Sequence, residues 1–250
     1  MKKLLLGAVL LGGCLDRPDA DSPDPTDVPR ITLNSLTPGA LASTQLTTRQ
    51  LTPTSAAAMA TSADARSVLA YAASCALGPT QSVAYTAGGV SFIASGSIGL
   101  ATDWTTTGLS AIEAGWVSAC IFARVNLTAT PVSISAQGAT PALAITAAEH
   151  ATYGIEEGAF WGNAFTDLGE TAAYSCDGVD QARDDSYGDL PVRQCAQPDG
   201  VAGSNLSPCG MHYAGLCSAV CRTTGPYASC SFLGGPAATA VVTTFLEGAP

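Results

Sequence analysis

Residues 63–77 read ADARSVLAYAASCAL, and residues 109–126 read LSAIEAGWVSACIFARVN. In the first stretch Val68, Leu69, Ala72, Cys75 and Ala76 fall at the spacing of a single helix face. Thr61-Ser62-Ala63-Asp64 sets an acid three residues after a hydroxyl, the pattern of a capping box, and Gly78-Pro79 supplies the stop. Ser110 and Glu113 repeat the capping pattern at the head of the second stretch. Only Glu113 and Arg124 are charged across that run, so the second helix should be largely buried. Between the two, SVAYT and VSFIA flank Ala87-Gly88-Gly89, which reads as a β-hairpin. PVSISAQ, at 131–137, alternates as a strand does. Thr146 and Glu149 open a third, brief helix closed at Gly154, and IEEGAFWGNAF is a strand or tight loop. The expected fold is α+β: a small two-helix plus antiparallel-strand domain over 61–168. A disulfide-rich, loop-dominated region and C-terminal tail should follow over 169–250.

Composition limits what this chain can do. Of the 250 residues 47% are apolar, but 44 of these are alanine, which removes little surface from water when buried. Both lysines, Lys2 and Lys3, stand at the extreme N-terminus. The remainder carries 8 Arg against 20 Asp plus Glu, a balance of −12. Nucleic-acid binding draws its affinity from Lys and Arg on phosphates, so nucleic acid is excluded as a partner.

The N-terminus begins with a positive Met1-Lys2-Lys3, continues with an apolar Leu4–Leu11, and ends at Gly12-Gly13-Cys14. That apolar run is too short to span a bilayer, which takes about 20 residues, and has the proportions of a secretory signal. Leu11-Gly12-Gly13-Cys14 resembles the lipobox of bacterial lipoproteins. The resemblance implies removal of residues 1–13 and acyl chains on Cys14, which would hold the protein to a membrane. Leu15 is not the aspartate that retains such proteins in the inner membrane, so the outer membrane is expected. Residues 15–30, LDRPDADSPDPTDVPR, carry five Asp and four Pro and read as an acidic tether over 14–30.

Ile31, Leu36, Leu41, Leu46 and Leu51 then recur at every fifth position. The spacing resembles pentapeptide-repeat proteins, although Pro29, Asn34, Gly39, Thr44 and Arg49 stand where small residues should. The alternative is a Thr/Ala-rich linker over 31–60. Asn34-Ser35-Leu36 also resembles leader segments of uncharacterised myxobacterial envelope lipoproteins.

Nine cysteines are present, and removing Cys14 leaves eight, an even number suited to four disulfides in an oxidising compartment. Cys75 and Cys120 each lie on an apolar helix stripe far from the rest, so they are the natural pair. Cys176, Cys195, Cys209, Cys217, Cys221 and Cys230 allow 15 pairings, and their spacing does not choose among them.

No nucleophile elbow, zincin motif, P-loop or dinucleotide fingerprint occurs, and no cofactor is expected. Two clusters could carry chemistry. Glu149, His150, Glu156 and Glu157 could serve general acid–base catalysis in an envelope hydrolase, with Phe160 and Trp161 near enough to line a sugar face. Asp177, Asp180, Asp184, Asp185 and Asp189 could hold calcium in an adhesin, although the spacing is not that of an EF-hand. The leading expectation is a lipid-anchored envelope protein with a non-enzymatic binding or structural role. Its partner, protein or glycan, is not readable from the sequence.

Overall fold

The computed structural model describes residues 30–31, 34–178, 193–222 and 226–248. The fold is α+β. Its two principal helices are α3 (Ala63–Ala76) and α4 (Ala111–Phe122), preceded by α1 (Pro38–Ala42) and α2 (Pro53–Met59). At α4 the Ser110 Oγ accepts from Glu113 N while a Glu113 carboxylate oxygen accepts from Ser110 N at 2.8 Å, closing the capping box. At α3 the cap is Ser62, whose Oγ accepts from Ala65 N at 3.0 Å. Strands β2 (Ser82–Ala87) and β3 (Val90–Ser95) form the hairpin. Its turn is Gly88-Gly89, both with positive φ, as the tight two-residue turn requires.

A six-stranded sheet supplies the rest of the frame. It contains β1 (Arg30–Ile31), β4 (Ile134–Gln137), β5 (Ile155–Asn163), β6 (Ala172–Asp177), β7 (His212–Leu216) and β10 (Val242–Leu246). Their order is β1-β4-β10-β5-β6-β7, antiparallel throughout except between β6 and β7. Between β4 and β5 lies the brief helix α5 (Ala147–Thr152), and after β7 come α6 (Cys217–Val220), β8 (Cys221–Arg222) and β9 (Ser229–Cys230). One face of the sheet, with Phe160, Val242 and Leu246, packs in a common core with Leu69, Val117 and Ile121 of α3 and α4. The opposite face, with Ala159, Trp161, Cys176 and Val241, is covered by Cys217, Tyr227 and Cys230. Helices, sheet and disulfide-linked loops therefore form three layers.

Two sequence expectations need correction here. The segment 31–60 is neither a linker nor a pentapeptide coil. Leu36, Leu46 and Leu51 are each about 1% exposed, and Leu36 and Leu46 form parallel bridges to Val125 and Phe165. Trp104 Nε1 donates to Arg49 O at 2.8 Å, and Leu51 N donates to Trp104 O at 2.8 Å, sewing the segment to the chain before α4. The region 169–250 is likewise not a separate loop unit. Strands β6, β7 and β10 come from it, and β10 lies between β4 and β5 with all five of its residues buried.

The structure bonds Cys75 to Cys120 across α3 and α4, with Cα atoms 6.0 Å apart. The other three bridges are Cys176–Cys217, Cys195–Cys209 and Cys221–Cys230.

Candidate functional site

Strand β5 carries two adjacent buried carboxylates, Glu156 and Glu157. Its ladder with β10 slips by one residue between Thr244 and Phe245, which leaves Glu157 as an extra residue on β5. Glu157 projects toward the helices and forms an ion pair with Arg193, both side chains being essentially inaccessible. Arg193 Nε donates to Glu157 Oε1 at 3.1 Å, and a second nitrogen reaches Oε2. Its remaining donors reach the Ala123 carbonyl, beyond the C-terminus of α4, and Thr244 Oγ1. Thr244 Oγ1 in turn donates to Glu157 Oε2 at 2.9 Å. The guanidinium also lies 5.6 Å from the Phe160 ring centroid. Such a pair offsets its desolvation only because every arm is bonded.

Glu156 projects to the other side of the sheet and accepts from Tyr227 OH at 2.8 Å. Asp177, on β6 opposite Gly158, is buried and has no ion-pair partner among the described residues. Burial first, then the nearby Glu157 and Glu156 charges, raise its pKa from 3.8 to about 6. Among the described residues neither its Oδ1 nor the Ser175 Oγ two residues earlier has a hydrogen-bond partner. The close approach of these strands depends on Gly158, where a Cβ would stand 2.4 Å from the Cys176 carbonyl and 2.5 Å from Ala196 Cβ.

The proposed general acid–base group is not assembled. Glu149 is half-buried in the first turn of α5, where its N–H donates to Thr146 Oγ1, and His150 on the same helix is exposed. Glu156 and Glu157 are spent on Tyr227 and Arg193, on opposite sides of the sheet. No three of these carboxylate and imidazole ligand atoms come together among the described residues. Phe160 is fully buried, and Trp161 lies beneath Tyr174 with ring centroids 5.9 Å apart, so neither displays a sugar-binding face. Tyr174 stacks in turn against His212 at 5.3 Å. Of the calcium candidates only Asp177 lies within the described residues; Asp180, Asp184, Asp185 and Asp189 lie outside them, as does Cys14.

Asp177 makes stability depend on pH. Between pH 3.8 and about 6 the folded chain retains a proton that the unfolded chain releases. Stability therefore falls as pH rises through that window, and the loss is complete above about 6. Asp177→Asn should raise Tm at pH 7 by about 2–4 °C for each kcal/mol relieved, and should leave it unchanged near pH 3. Thermal melts at the two pH values decide this; equal effects at both would remove the titration from the account.

A feature suited to a small ligand lies elsewhere. A cavity of about 460 Å³ lies where α1, α3 and α4 meet the ends of β5 and β6 and the loop 208–211. Leu41, Leu46, Val68, Phe122, Ala173 and Met211 give it an apolar wall, and none of the described residues that line it is charged. Asn163 at its edge is already engaged: its Nδ2 donates to the Phe165 and Glu170 carbonyls, and its Oδ1 accepts from Phe165 N. The outer wall, Pro208 to Met211, is held by the Cys195–Cys209 bridge.

Protein-family models, curated proteins and solved structures give no match to this chain. Function has to be argued from the cavity and the charges themselves. Sequence reasoning missed the cavity because its wall is drawn from six separated segments, none with a motif. Arg193 was missed for a similar reason: it is one arginine in a Gly/Asp/Pro-rich stretch, 36 residues from its partner.

Proposed function

We propose that this protein is a lipid-anchored component of a bacterial cell envelope with a non-enzymatic binding role, and that its ligand is a small apolar molecule. The cavity beneath α1 carries the binding role. Its volume of about 460 Å³ falls within the range of about 300–1,000 Å³ typical of small-molecule sites. With no charge among the described residues of its wall, recognition rests on shape and on removal of apolar surface from water. The buried carboxylates support a non-enzymatic reading, since Glu156 and Glu157 are committed to Tyr227 and Arg193.

The anchor rests on the sequence Leu11-Gly12-Gly13-Cys14 after a short positive and apolar leader. Leu15 after the modified cysteine favours the outer membrane. No helix among the described residues is long and apolar enough to cross a bilayer, which is compatible with attachment through lipid. An apolar ligand is also plausible chemistry next to a membrane, where such molecules concentrate.

Two experiments test the two halves. Cys14→Ser should abolish incorporation of labelled palmitate, because serine offers no thiol to the diacylglyceryl donor. A Cys14→Ser protein that still labels would defeat the anchor. Mass spectrometry of an organic extract of the purified protein should reveal a stoichiometric apolar compound. Its absence from protein prepared without detergent would count against a resident ligand.

A further inference from the structure

Two of the four bridges lie side by side. Cys176 Sγ, bonded to Cys217, is 3.6 Å from Cys221 Sγ, which is bonded to Cys230. The sulfurs of Cys176, Cys221 and Cys230 all lie within 4.8 Å of one another. Cys217 and Cys221 stand at opposite ends of the single turn α6, so all four sulfurs belong to one cluster against Trp161 and Tyr227. Three of the four cysteines are buried, while Cys221 is half-buried and within reach of a small molecule. Thiol–disulfide exchange needs a thiolate beside a disulfide sulfur, and van der Waals contact between sulfurs meets that requirement.

We propose that these four cysteines form a thiol–disulfide exchange site whose substrate is a small external thiol or dithiol, and that its internal step moves the bridge from Cys176–Cys217 to Cys176–Cys221. Entry is a two-electron reduction of Cys221–Cys230. An external thiolate attacks Cys221 Sγ, forms a mixed disulfide and releases Cys230 as a thiolate that takes up a proton. A second external thiolate then attacks the external sulfur of that mixed disulfide, releasing the Cys221 thiolate and an oxidised external disulfide. The Cys221 thiolate attacks Cys176 Sγ, the Cys176–Cys217 bond breaks, and Cys217 leaves as a thiolate. That last step has no net redox change. The product retains one bridge from β6 to the end of α6, with Cys217 and Cys230 as thiols. The attacking species is the thiolate, so the internal step should accelerate as pH rises toward the ordinary thiol pKa of about 8.5.

Cys230→Ser isolates the internal step, because it presents Cys221 as a thiol with no external reductant. After acid quenching and alkylation, non-reducing peptide mapping should recover Cys176 joined to Cys221, with Cys217 alkylated. Cys217→Ser approaches from the other side: the Cys176 thiol should displace Cys230 and give the same Cys176–Cys221 peptide. Native protein treated with limiting dithiol, without denaturant, provides a third route that needs no substitution and should yield the same peptide. Recovery of only Cys176–Cys217 in Cys230→Ser, with Cys221 alkylated, would overturn the proposal. So would native protein in which Cys221–Cys230 is reduced at every dose while Cys217 never becomes alkylated.

Discussion

Arg193→Met should lower the free energy of unfolding by about 3–5 kcal/mol, because it strands Glu157 in the interior without its cation. Both side chains of the pair are inaccessible, and every donor of Arg193 that meets Glu157, Ala123 or Thr244 would be lost. For a chain of this length each kcal/mol corresponds to roughly 2–4 °C in Tm, so the variant should melt far below the parent. Glu157→Gln leaves Arg193 as the unpaired charge and should cost a similar amount. The double variant Arg193→Met/Glu157→Leu should recover most of the loss, since an apolar pair of similar volume carries no desolvation cost. It should also lower the pKa of Asp177 by removing one of the charges that raise it. Denaturant unfolding of the three variants is the measurement. A loss below about 1 kcal/mol for Arg193→Met would mean that solvent reaches Glu157.

Cys75→Ala should cost about 3–4 kcal/mol and expose one titratable thiol at Cys120. The closed loop spans 45 positions and includes the whole β2–β3 hairpin, so opening it releases much chain entropy in the unfolded state. The core it staples is rich in alanine: Ala72, Ala73, Ala76, Ala114, Ala119 and Ala123 are all fully buried. Each contributes little burial energy, so the covalent link carries a large share of the stability of the α3–α4 contact. Arg124 adds to that dependence. It is 2% exposed and pairs with no carboxylate among the described residues; one guanidinium nitrogen donates to Cys75 Sγ at 3.7 Å, and the group lies 5.7 Å from the Tyr71 ring centroid. Burial lowers its pKa to about 10. Unfolding of Cys75→Ala should be compared with that of Cys75→Ala/Cys120→Ala to separate the lost bridge from the new thiol. A change under about 1 kcal/mol in both would contradict the loop-entropy account.

The parts of the fold written in local chemistry were legible before any coordinates. Helices α3 and α4 announce themselves through an apolar stripe, a hydroxyl cap and, for α4, a reciprocal Glu113. The β2–β3 turn is spelled by Gly88-Gly89. Parts fixed by distant partners were not legible. Leu36, Leu46 and Leu51 look like a five-residue rhythm, yet each is buried by a different neighbour, and the spacing corresponds to no repeating element. The position of β10 was hidden because strand order depends on pairing with β4 and β5, both distant in the sequence. Its β-branched run, Val241 to Thr244, was the available signal that the C-terminus is a strand rather than a tail.

The candidate site divides in the same way. Adjacent Glu156 and Glu157 face opposite sides of β5, as neighbours on a strand do, and each is engaged by a different partner. That Glu157 would be neutralised by Arg193 required tertiary knowledge. The cavity draws on α1, α3, α4, β5, β6 and the loop beyond Cys195, and none of those segments carries a ligand motif of its own.

The central claim is that the cavity beneath α1 binds an apolar molecule, and occupancy of that cavity tests it most directly. The soluble form lacking residues 1–14 would be titrated with an environment-sensitive apolar fluorophore, alongside Ala173→Phe and Ala42→Phe. Ala173 is half-buried in the wall and Ala42 is exposed at the mouth, so the added ring fills the space in one variant and covers it in the other. The account predicts saturable, one-to-one binding to the parent and at least a tenfold weaker Kd in both variants, equivalent to about 1.4 kcal/mol or more, with Tm little changed. Equal binding by all three proteins, or no saturable binding by the parent after removal of resident lipid, would contradict it.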